Sequence, residues 1–247
     1  TQKISSLKDA LVRIGNKPLI RVILSVGGSD VLQKEVPGYD LGRGSLWRHS
    51  VLCGLLCEKL CDLVGYEKKD KALTAGLLHD VGKVVLSEFV DREYGKIRDA
   101  AMAANFTFLD AESGILGVNH AEAGGRLGEK WNSDAELVNA IRHHHDPAAG
   151  DPSALLFLVH FSDVLCMTSG IGGGADGLRY NVDHELLKGH GIGPKEFEQG
   201  MIRLADVERD FRGIVAMYGW EERGGKRSGS WWWTTPRSSG RVSRRGC

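Results

Sequence analysis

The sequence has no long apolar run, although 42% of its 247 residues are hydrophobic. A membrane-spanning helix needs about 20 consecutive apolar residues, and no stretch approaches that length. The first segment, Thr1–Ala10, is polar and lacks the apolar core of a signal peptide. We therefore expect a cytoplasmic protein with no membrane partner.

The chain also lacks net charge, because 32 Lys and Arg residues balance 32 Asp and Glu residues. The balance is uneven along the chain, since residues 221–247 are net basic and residues 1–220 are net acidic. A nucleic-acid-binding surface carries a clustered basic patch, which a net acidic globular part does not favour. We expect no nucleic-acid partner for this part.

The cysteines form no C-x-x-C pair, which argues against a zinc ribbon and against a thioredoxin-like motif. Three of the five recur every four residues and therefore share one face of a helix. Buried thiols behave as small apolar residues, and reduced thiols are typical of a reducing compartment. We interpret all five as reduced core thiols: Cys53, Cys57, Cys61, Cys166 and Cys247.

Strand patterns are scarce, and apolar residues recur at helical spacing along most of the chain. The periodicity predicts helices over 45–64, 68–79, 92–104, 119–130, 134–146 and 153–169, with a long final helix after Pro194. That final helix carries one apolar stripe, formed by Phe197, Met201, Leu204, Phe211 and Val215.

Two segments depart from this pattern. Residues 170–193 are rich in glycine and are interpreted as a connecting loop, because a phosphate-binding glycine loop needs a preceding strand and a helix precedes this one. Residues 221–247 are dominated by Gly, Ser and Arg and are predicted to be a disordered tail. The triplet Trp231–Trp233 leaves two alternatives, a basic aromatic arm that contacts nucleic acid or anionic lipid, and a non-native end of the chain.

Seven side chains of the kind that bind divalent metal ions lie on or next to predicted helices. They are His49, His79, Asp80, His120, His144, His145 and Asp163. Asp80 directly follows His79 at a helix end, so both can face one cavity, where a carboxylate can bridge two ions. Gly82 would let the chain turn away after this doublet. Lys83 would then lie one turn from the metal, where a phosphate oxygen needs a cation.

Two histidines that are close to this set in sequence are not included in it. Ile141, His144 and His145 share one face of their helix, whereas His143 points away from that face. His160 precedes Asp163 by about one turn and is interpreted as a core or surface residue, with support of a metal ligand as the alternative.

The order H…HD…H…HH…D, with GLLHDVGK around the doublet, resembles the HD superfamily of metal-dependent phosphohydrolases. Within it, the sequence is most similar to the HDOD branch of bacterial signalling domains. The resemblance rests on SLKDALVRIGNKPLIRVIL, LWRHS, NHAEAGGRLGEKW, IRHHHDP and FSDVL, and covers about residues 4–167 with gaps. It implies an all-α fold, with one HD-type helical domain over residues 1–220 and a separate tail over 221–247.

The resemblance also implies how the ligands divide. One divalent ion would be held by His49, His79, Asp80 and Asp163. Asp80 would bridge to a second ion, held by His120, His144 and His145, as in the related HD-GYP proteins. The site would hold one or two divalent ions, and the metal would be Mn, Fe, Ni, Co or Zn. A metal-activated hydroxide would attack a phosphomonoester or phosphodiester of a nucleotide-like signal molecule, while Lys83 neutralises the phosphate.

Two departures from the HDOD pattern bear on function. The family's domain normally has an N-terminal helical half before the segment matching ISSLKDALVRIG, so this chain is expected to be a fragment. No GYP motif follows His144 and His145, where the sequence reads HHHDPAAGDPS, which argues against cyclic di-GMP as the substrate. Because many HDOD domains have lost part of the metal set, a catalytically silent module that binds a signalling protein is the alternative function. A structural or iron- and oxygen-sensing metal site is the third interpretation.

Overall fold

The computed structural model describes residues 35–36, 38–103, 107–172, 174, 184–217, 221–224 and 231–234. Within these ranges lie nine α-helices, one 3-10 turn (Pro147–Ala149) and one pair of short strands, which confirms the predicted all-α class. The helices are α1 Ser45–Val64, α2 Lys69–Leu78, α3 Val81–Ala103, α4 Phe108–Leu116, α5 His120–Lys130, α6 Ala135–His143, α7 Ala154–Thr168, α8 His184–Gly189 and α9 Pro194–Met217. The strands are β1 Glu221–Gly224 and β2 Trp231–Thr234.

The main core is built around α7, a helix that is apolar on almost every side. All of its residues from Leu155 to Cys166 are buried, against side chains of α1, α2, α6, α8 and α9. A helix that is hydrophobic all round belongs in the middle of a bundle. Cys53, Cys57, Cys61 and Cys166 are buried thiols of this core, as predicted, while Cys247 lies outside the described residues.

A second, smaller core joins α3 and α4 to a short hairpin that is closed by Val36 and Leu41. Val36 and Leu41 pair across this hairpin, and Leu86, Val90 and Phe108 pack against it. Since α2 contributes to the main core and α3 to the smaller one, the two-residue link between these helices lies where the cores meet. That link is His79–Asp80.

Several predicted elements differ from the observed ones. The helix predicted over 92–104 begins earlier, at Val81. The sequence pattern missed its first half because the apolar residues Val84, Val85 and Phe89 face outward there and interrupt the apolar stripe. Helix α4 was not predicted, although the Thr107 side chain and Asp110 form a capping box at its start. Helix α8 lies inside the predicted loop 170–193.

The C-terminal helix agrees with its prediction. It begins at Pro194, and Leu204, Phe211 and Val215 of its stripe are buried in the main core. The Trp47 and Phe211 rings, with centroids 5.6 Å apart, pack α1 against α9. None of the helices in the described ranges is long and apolar enough to cross a bilayer.

The predicted tail 221–247 contains the two strands, which differ from the expected disorder at eight residues. Strands β1 and β2 are antiparallel, with Glu222 opposite Trp233. Trp and Thr favour extended backbone. The sequence has no apolar period in this segment, so the periodicity did not predict the strands. The rest of the tail lies outside the described residues, as does the segment before Glu35.

Candidate metal centre

All seven predicted ligand residues come together around Asp80. Their ligand atoms form three overlapping groups, and within each group all atoms lie within 4.8 Å of one another. The groups are Asp80–His120–His144–His145, His49–His79–Asp80 and His79–His144–Asp163. Six of the seven side chains are buried, and His145 is half-buried. Residues from α1, α5, α7 and the ends of α2 and α6 therefore meet at one point in the fold.

The first ligand set, His49, His79 and Asp163, faces one oxygen of the Asp80 carboxylate. The Nε2 atoms of the two histidines are 3.1 Å apart. Asp80 Oδ2 lies 3.5 Å from the Nε2 of His49 and 3.4 Å from that of His79. Asp163 Oδ1 closes the set at 3.2 Å from His49 Nε2.

The second ligand set, His120, His144 and His145, faces the other oxygen. Asp80 Oδ1 lies 3.6 Å from His120 Nε2 and 3.7 Å from His144 Nε2. The Nε2 atoms of His120 and His145 are 2.9 Å apart. The two oxygens of a single carboxylate thus serve two separate groups of nitrogen atoms, which is the geometry of a bridging ligand.

Free backbone carbonyls fix the orientation of three of these rings. The last carbonyls of a helix have no partner within it. His79 Nδ1 lies 2.7 Å from the carbonyl oxygen of Gly76 at the end of α2, and His144 Nδ1 lies 2.7 Å from that of Ile141 at the end of α6. His49 Nδ1 lies 3.1 Å from the carbonyl oxygen of Ile171.

A carbonyl oxygen can only accept a hydrogen bond, so these Nδ1 atoms carry protons. A neutral ring with a protonated Nδ1 presents a lone pair at Nε2. The Nε2 lone pairs of His49 and His79 would then point at each other and at carboxylate oxygens, which is repulsive unless a proton or a metal ion lies between them. Such a cluster fits a divalent cation, which imidazole and carboxylate ligands bind well.

Two buried atoms in the centre make no hydrogen bond within the described part of the chain. They are Asp80 Oδ1 and His144 Nε2, which face each other at 3.7 Å. A buried polar atom without a partner costs about 1–3 kcal/mol. The donor set and these two atoms together fit a metal ion bound between them, and the ligand sets contain no cysteine, unlike a closed structural zinc site.

Electrostatics concentrate negative charge at the centre. Burial would raise the pKa of the Asp80 carboxyl, but the charge of Lys83 outweighs it and holds that pKa well below its ordinary range. The pKa of His49 rises to about 9 despite burial, because Asp163 and Asp80 face it. Burial, together with the neighbouring His144 and His49, lowers the pKa of His79 to about 4. These pKa values place the positive charge on His49 and leave His79 neutral, and a bound metal ion would displace the proton of His49.

Lys83 lies at the centre itself, as the sequence predicts. Its side chain is only 2% exposed, and its Nζ donates a hydrogen bond to Asp80 Oδ2 at 2.6 Å. The ammonium group thus stands beside the carboxylate that both ligand sets share.

The role predicted for Gly82 is wrong. It does not lead the chain away after the doublet but lies in the first turn of α3, pressed against the start of α5. A Cβ atom there would stand 1.8 Å from the carbonyl oxygen of His120. Glycine is needed here because the two helices touch through their backbones.

Comparison with known proteins identifies the family. Residues 1–147 match the HDOD domain family. The chain belongs to the HDOD family. Solved structures that resemble this HDOD chain include an HDOD domain protein of unknown function from Geobacter sulfurreducens, with a TM-score of 0.55, 24% identity, and coverage of 87% of this chain and 74% of that one. Another comes from Marinobacter aquaeolei VT8 and is provisionally named a signal transduction protein, with a TM-score of 0.58, 18% identity, and coverage of 88% and 56%.

Curated relatives match a smaller share of their own length. An uncharacterized protein of Treponema pallidum (strain Nichols) is 30% identical over 145 residues, which are 57% of this chain and 27% of the relative. Ribonuclease Y of Lawsonia intracellularis (strain PHE/MN1-00) is 33% identical over 171 residues, which are 69% of this chain and 24% of the relative. The HDOD chain thus spans about a quarter of each of these relatives.

His143 and His160, which are close to the ligand residues in sequence but not among them, occupy different places. His143 lies on the other side of α6 and lines a cavity of about 460 Å³ with Asn139 and Gly150, away from Asp80. His160 is fully buried in α7, where its Nδ1 donates a hydrogen bond to the carbonyl oxygen of His144 at 2.7 Å. His160 is therefore a core residue that also holds the backbone of a predicted ligand.

Sequence reasoning missed two side chains beside the centre, Tyr39 and Glu112. Both are fully buried, and the Tyr39 hydroxyl donates a hydrogen bond to Glu112 Oε1. Glu112 Oε2 accepts from His120 Nδ1 at 2.7 Å. Burial would raise the pKa of Glu112, but His120 and Tyr39 lower it. The eight-residue interval between Glu112 and His120 crosses from α4 to α5 and so carries no periodic signal.

Proposed function

We propose that this HDOD chain is a metal-dependent phosphohydrolase that holds two divalent ions, one on each side of Asp80. The observation that carries the proposal is the arrangement of the Asp80 carboxylate, whose two oxygens each face a different histidine set. The first ion would be held by the first ligand set and Asp80 Oδ2. The second would be held by the second ligand set and Asp80 Oδ1.

Two bound ions would lower the pKa of a water molecule and would supply positive charge for the oxygens of a phosphoryl group. His and Asp ligands suit Mn, Fe, Ni, Co or Zn. The chain's own residues contribute orientation and charge. Carbonyl-anchored rings hold their Nε2 atoms fixed, and Lys83 keeps an ammonium group beside Asp80, where it would offset the charge of a bound phosphate.

The half-buried His145 marks the side from which a substrate would enter, because the other ligands are closed off from solvent. We propose that the substrate is a phosphomonoester or phosphodiester of a nucleotide-like molecule, and that the protein acts in bacterial signal transduction in the cytoplasm. The Lawsonia relative is Ribonuclease Y, which supports phosphodiester chemistry, and the Marinobacter protein, provisionally assigned to signal transduction, supports a signalling role. A protein provisionally named a phosphohydrolase, from Shewanella amazonensis SB2B, has the same fold with a TM-score of 0.50 and 23% identity over 83% of this chain and 78% of that one.

The test compares the wild-type chain with Asp80→Asn after loading with Mn²⁺ or Fe²⁺. Asparagine keeps the shape of the side chain but removes the bridging charge. Each protein is analysed for bound metal and assayed with p-nitrophenyl phosphate and bis-p-nitrophenyl phosphate. Asp62→Asn is the control. Asp62 is an exposed carboxylate near the C-terminal end of α1 and is paired with Lys69.

We expect metal-dependent hydrolysis in the wild type and in the control, and none in Asp80→Asn. A wild type that binds no stoichiometric ion after loading would overturn the proposal. Hydrolysis that survives at full rate in Asp80→Asn would overturn it as well.

A second candidate function is a silent regulatory module that binds a signalling protein. One observation favours it, the outward-facing apolar side chains Val84, Val85 and Phe89 on α3, which are 59%, 47% and 55% exposed. Exposed apolar patches of this kind often mark protein contacts. Metal-dependent turnover that is lost in Asp80→Asn excludes this alternative as the only function, whereas bound metal without turnover supports it.

A further inference from the structure

We infer that Glu112 is a positioning residue for the second ion, acting through His120, and that Tyr39 holds Glu112 in place. The inference rests on the two-ion site proposed above and adds two residues that contact no ion themselves. It is carried by a chain of buried hydrogen bonds that runs from Tyr39 through Glu112 to His120.

The chain begins with a tyrosine and a carboxylate that are both closed to solvent. Tyr39 and Glu112 are each 0% exposed. The Tyr39 hydroxyl donates to Glu112 Oε1, while Glu112 Oε2 accepts from the His120 ring at 2.7 Å and from the His120 backbone N–H at 3.2 Å. Both carboxylate oxygens therefore accept hydrogen bonds, and Glu112 belongs to none of the three groups of ligand atoms.

The carboxylate also decides which nitrogen of His120 faces the ligand cluster. Because Glu112 Oε2 accepts from Nδ1, the lone pair of a neutral ring lies on Nε2. That atom is 2.9 Å from His145 Nε2 and 3.6 Å from Asp80 Oδ1. Without Glu112, the His120 ring could turn or change tautomer and withdraw its lone pair from the second ligand set.

Charge gives Glu112 a second role. The first ligand set contains its own carboxylate, Asp163, which also groups with His144, whereas His120 and His145 group with no carboxylate other than Asp80. The rings of His49, His79 and His144 rest on neutral carbonyls, but His120 rests on a carboxylate. Glu112 therefore adds a negative charge to the second ligand set through the ring of His120. Buried cations require such compensation.

Replacement of Glu112 by glutamine separates these roles from simple packing. The amide has nearly the same shape and can still accept from His120 Nδ1, but it carries no charge. Tyr39→Phe is the second variant, since it leaves the charge and removes only the hydroxyl that holds Glu112 Oε1. Asp110→Asn is the matched control, because it makes the same chemical change on α4 at an exposed carboxylate that caps the helix.

The measurement is a Mn²⁺ titration of each full chain by calorimetry, with folding checked by circular dichroism and the paired-ion signal read by electron paramagnetic resonance. Loss of a carboxylate that supports a ligating histidine typically weakens metal affinity by about 10- to 100-fold. We expect Glu112→Gln to weaken the second ion by about that factor and the first by less than about twofold. Tyr39→Phe should weaken the second ion by a smaller factor, and Asp110→Asn should leave both unchanged.

The outcomes separate this inference from the proposed function. Two ions bound with wild-type affinity in folded Glu112→Gln overturn the role of Glu112 and leave the two-ion site intact. If Glu112→Gln does not fold, Tyr39→Phe decides, and an unchanged second ion in that variant overturns the inference. A wild type that binds two ions without hydrolysing any ester overturns the catalytic proposal alone, while a wild type that binds no ion overturns both.

Discussion

The two ligand sets that meet at Asp80 are held in different ways. The first is built into the main core, with His49 on α1 and Asp163 in the buried part of α7. The second lies at the ends of α5 and α6, includes the half-buried His145, and contains His120, which donates a hydrogen bond to the Glu112 carboxylate. Hydrogen bonds to carbonyl oxygens orient rings in both sets, but the first set lies deeper in the core and the second reaches closer to solvent.

This difference leads us to expect unequal affinities. Rings held by surrounding packing lose little freedom when an ion binds, so the first ion should bind more tightly. The second set is closer to solvent and should exchange its ion more readily. Substitutions can therefore be chosen to remove both ions, the second alone, the first alone, or neither.

The largest effect is expected for Asp80→Asn, which acts on both sets at once. The shared carboxylate provides one oxygen to each set, so its neutralisation should remove both ions. Metal analysis after dialysis should find less than about 0.2 ions per chain in this variant. Retention of one full ion would show that one of the two sets is complete without Asp80.

Gly82→Ala should disturb the second set and the fold together. The added Cβ would stand 1.8 Å from the His120 carbonyl oxygen, so α3 and α5 must separate. We expect a loss of about 3 kcal/mol in the free energy of unfolding of the metal-free chain, or about 6–12 °C in Tm. Thermal and urea unfolding would measure it.

Gly95→Ala is the matched control for this substitution, since Gly95 lies on the same helix with open space around it. Alanine should stabilise the helix there by about 0.5–1 kcal/mol. Equal effects of the two substitutions would contradict the close approach of α3 to His120.

Gly172→Ala should act on the first set. Gly172 has a φ of 83°, and a Cβ there would lie 2.4 Å from His49 Nδ1, where the Ile171 carbonyl now accepts its hydrogen bond. Gly170 has a similar φ of 73° but no atom within 4 Å of its added Cβ. Both alanine variants should lose about 1–2 kcal/mol to backbone strain.

Only Gly172→Ala should also weaken the first ion, by about 10-fold or more, since it displaces the ring of a ligand. Calorimetric titration with Mn²⁺ compares the two glycines directly. The same loss of affinity in Gly170→Ala would attribute the effect to strain in the loop and not to His49.

The smallest effect is expected for His143→Ala, in comparison with His144→Ala. The two histidines are neighbours in sequence, but His143 lines the cavity on the far side of α6 while His144 faces Asp80. His144→Ala should lose the second ion, and His143→Ala should bind both ions within about twofold of the wild type. A metal titration that finds the reverse would show that α6 presents a different face to the centre.

The sequence predicts the members of the centre well because their chemistry is confined to a few residue types in a fixed order. His49, His79, Asp80 and Asp163 all converge, and His143 lies on the other side of α6. The helical periodicity likewise predicts α1 and α9, whose apolar stripes face one core. In the first half of α3, apolar residues lie on the exposed face as well as the buried one. The periodic signal is weak there, and the predicted start of the helix is therefore too late.

The parts that the sequence does not reveal are contacts between distant segments. Tyr39 and Glu112 lie 73 residues apart and meet only because the hairpin and α4 share the smaller core. The anchors of the ligand rings are backbone carbonyls, such as that of Ile171, which any residue type would provide. The same holds for Gly82. The requirement for glycine at this position comes from the close contact between α3 and α5, which the sequence does not reveal.

The central claim is that two ions lie on opposite sides of Asp80. Anomalous diffraction from crystals of the Mn²⁺-loaded chain would locate them directly. We predict two peaks about 3.5–4 Å apart, one beside each oxygen of the Asp80 carboxylate. No peak within bonding distance of Asp80, or a single fully occupied peak that contacts only one of the two ligand sets, would contradict this account.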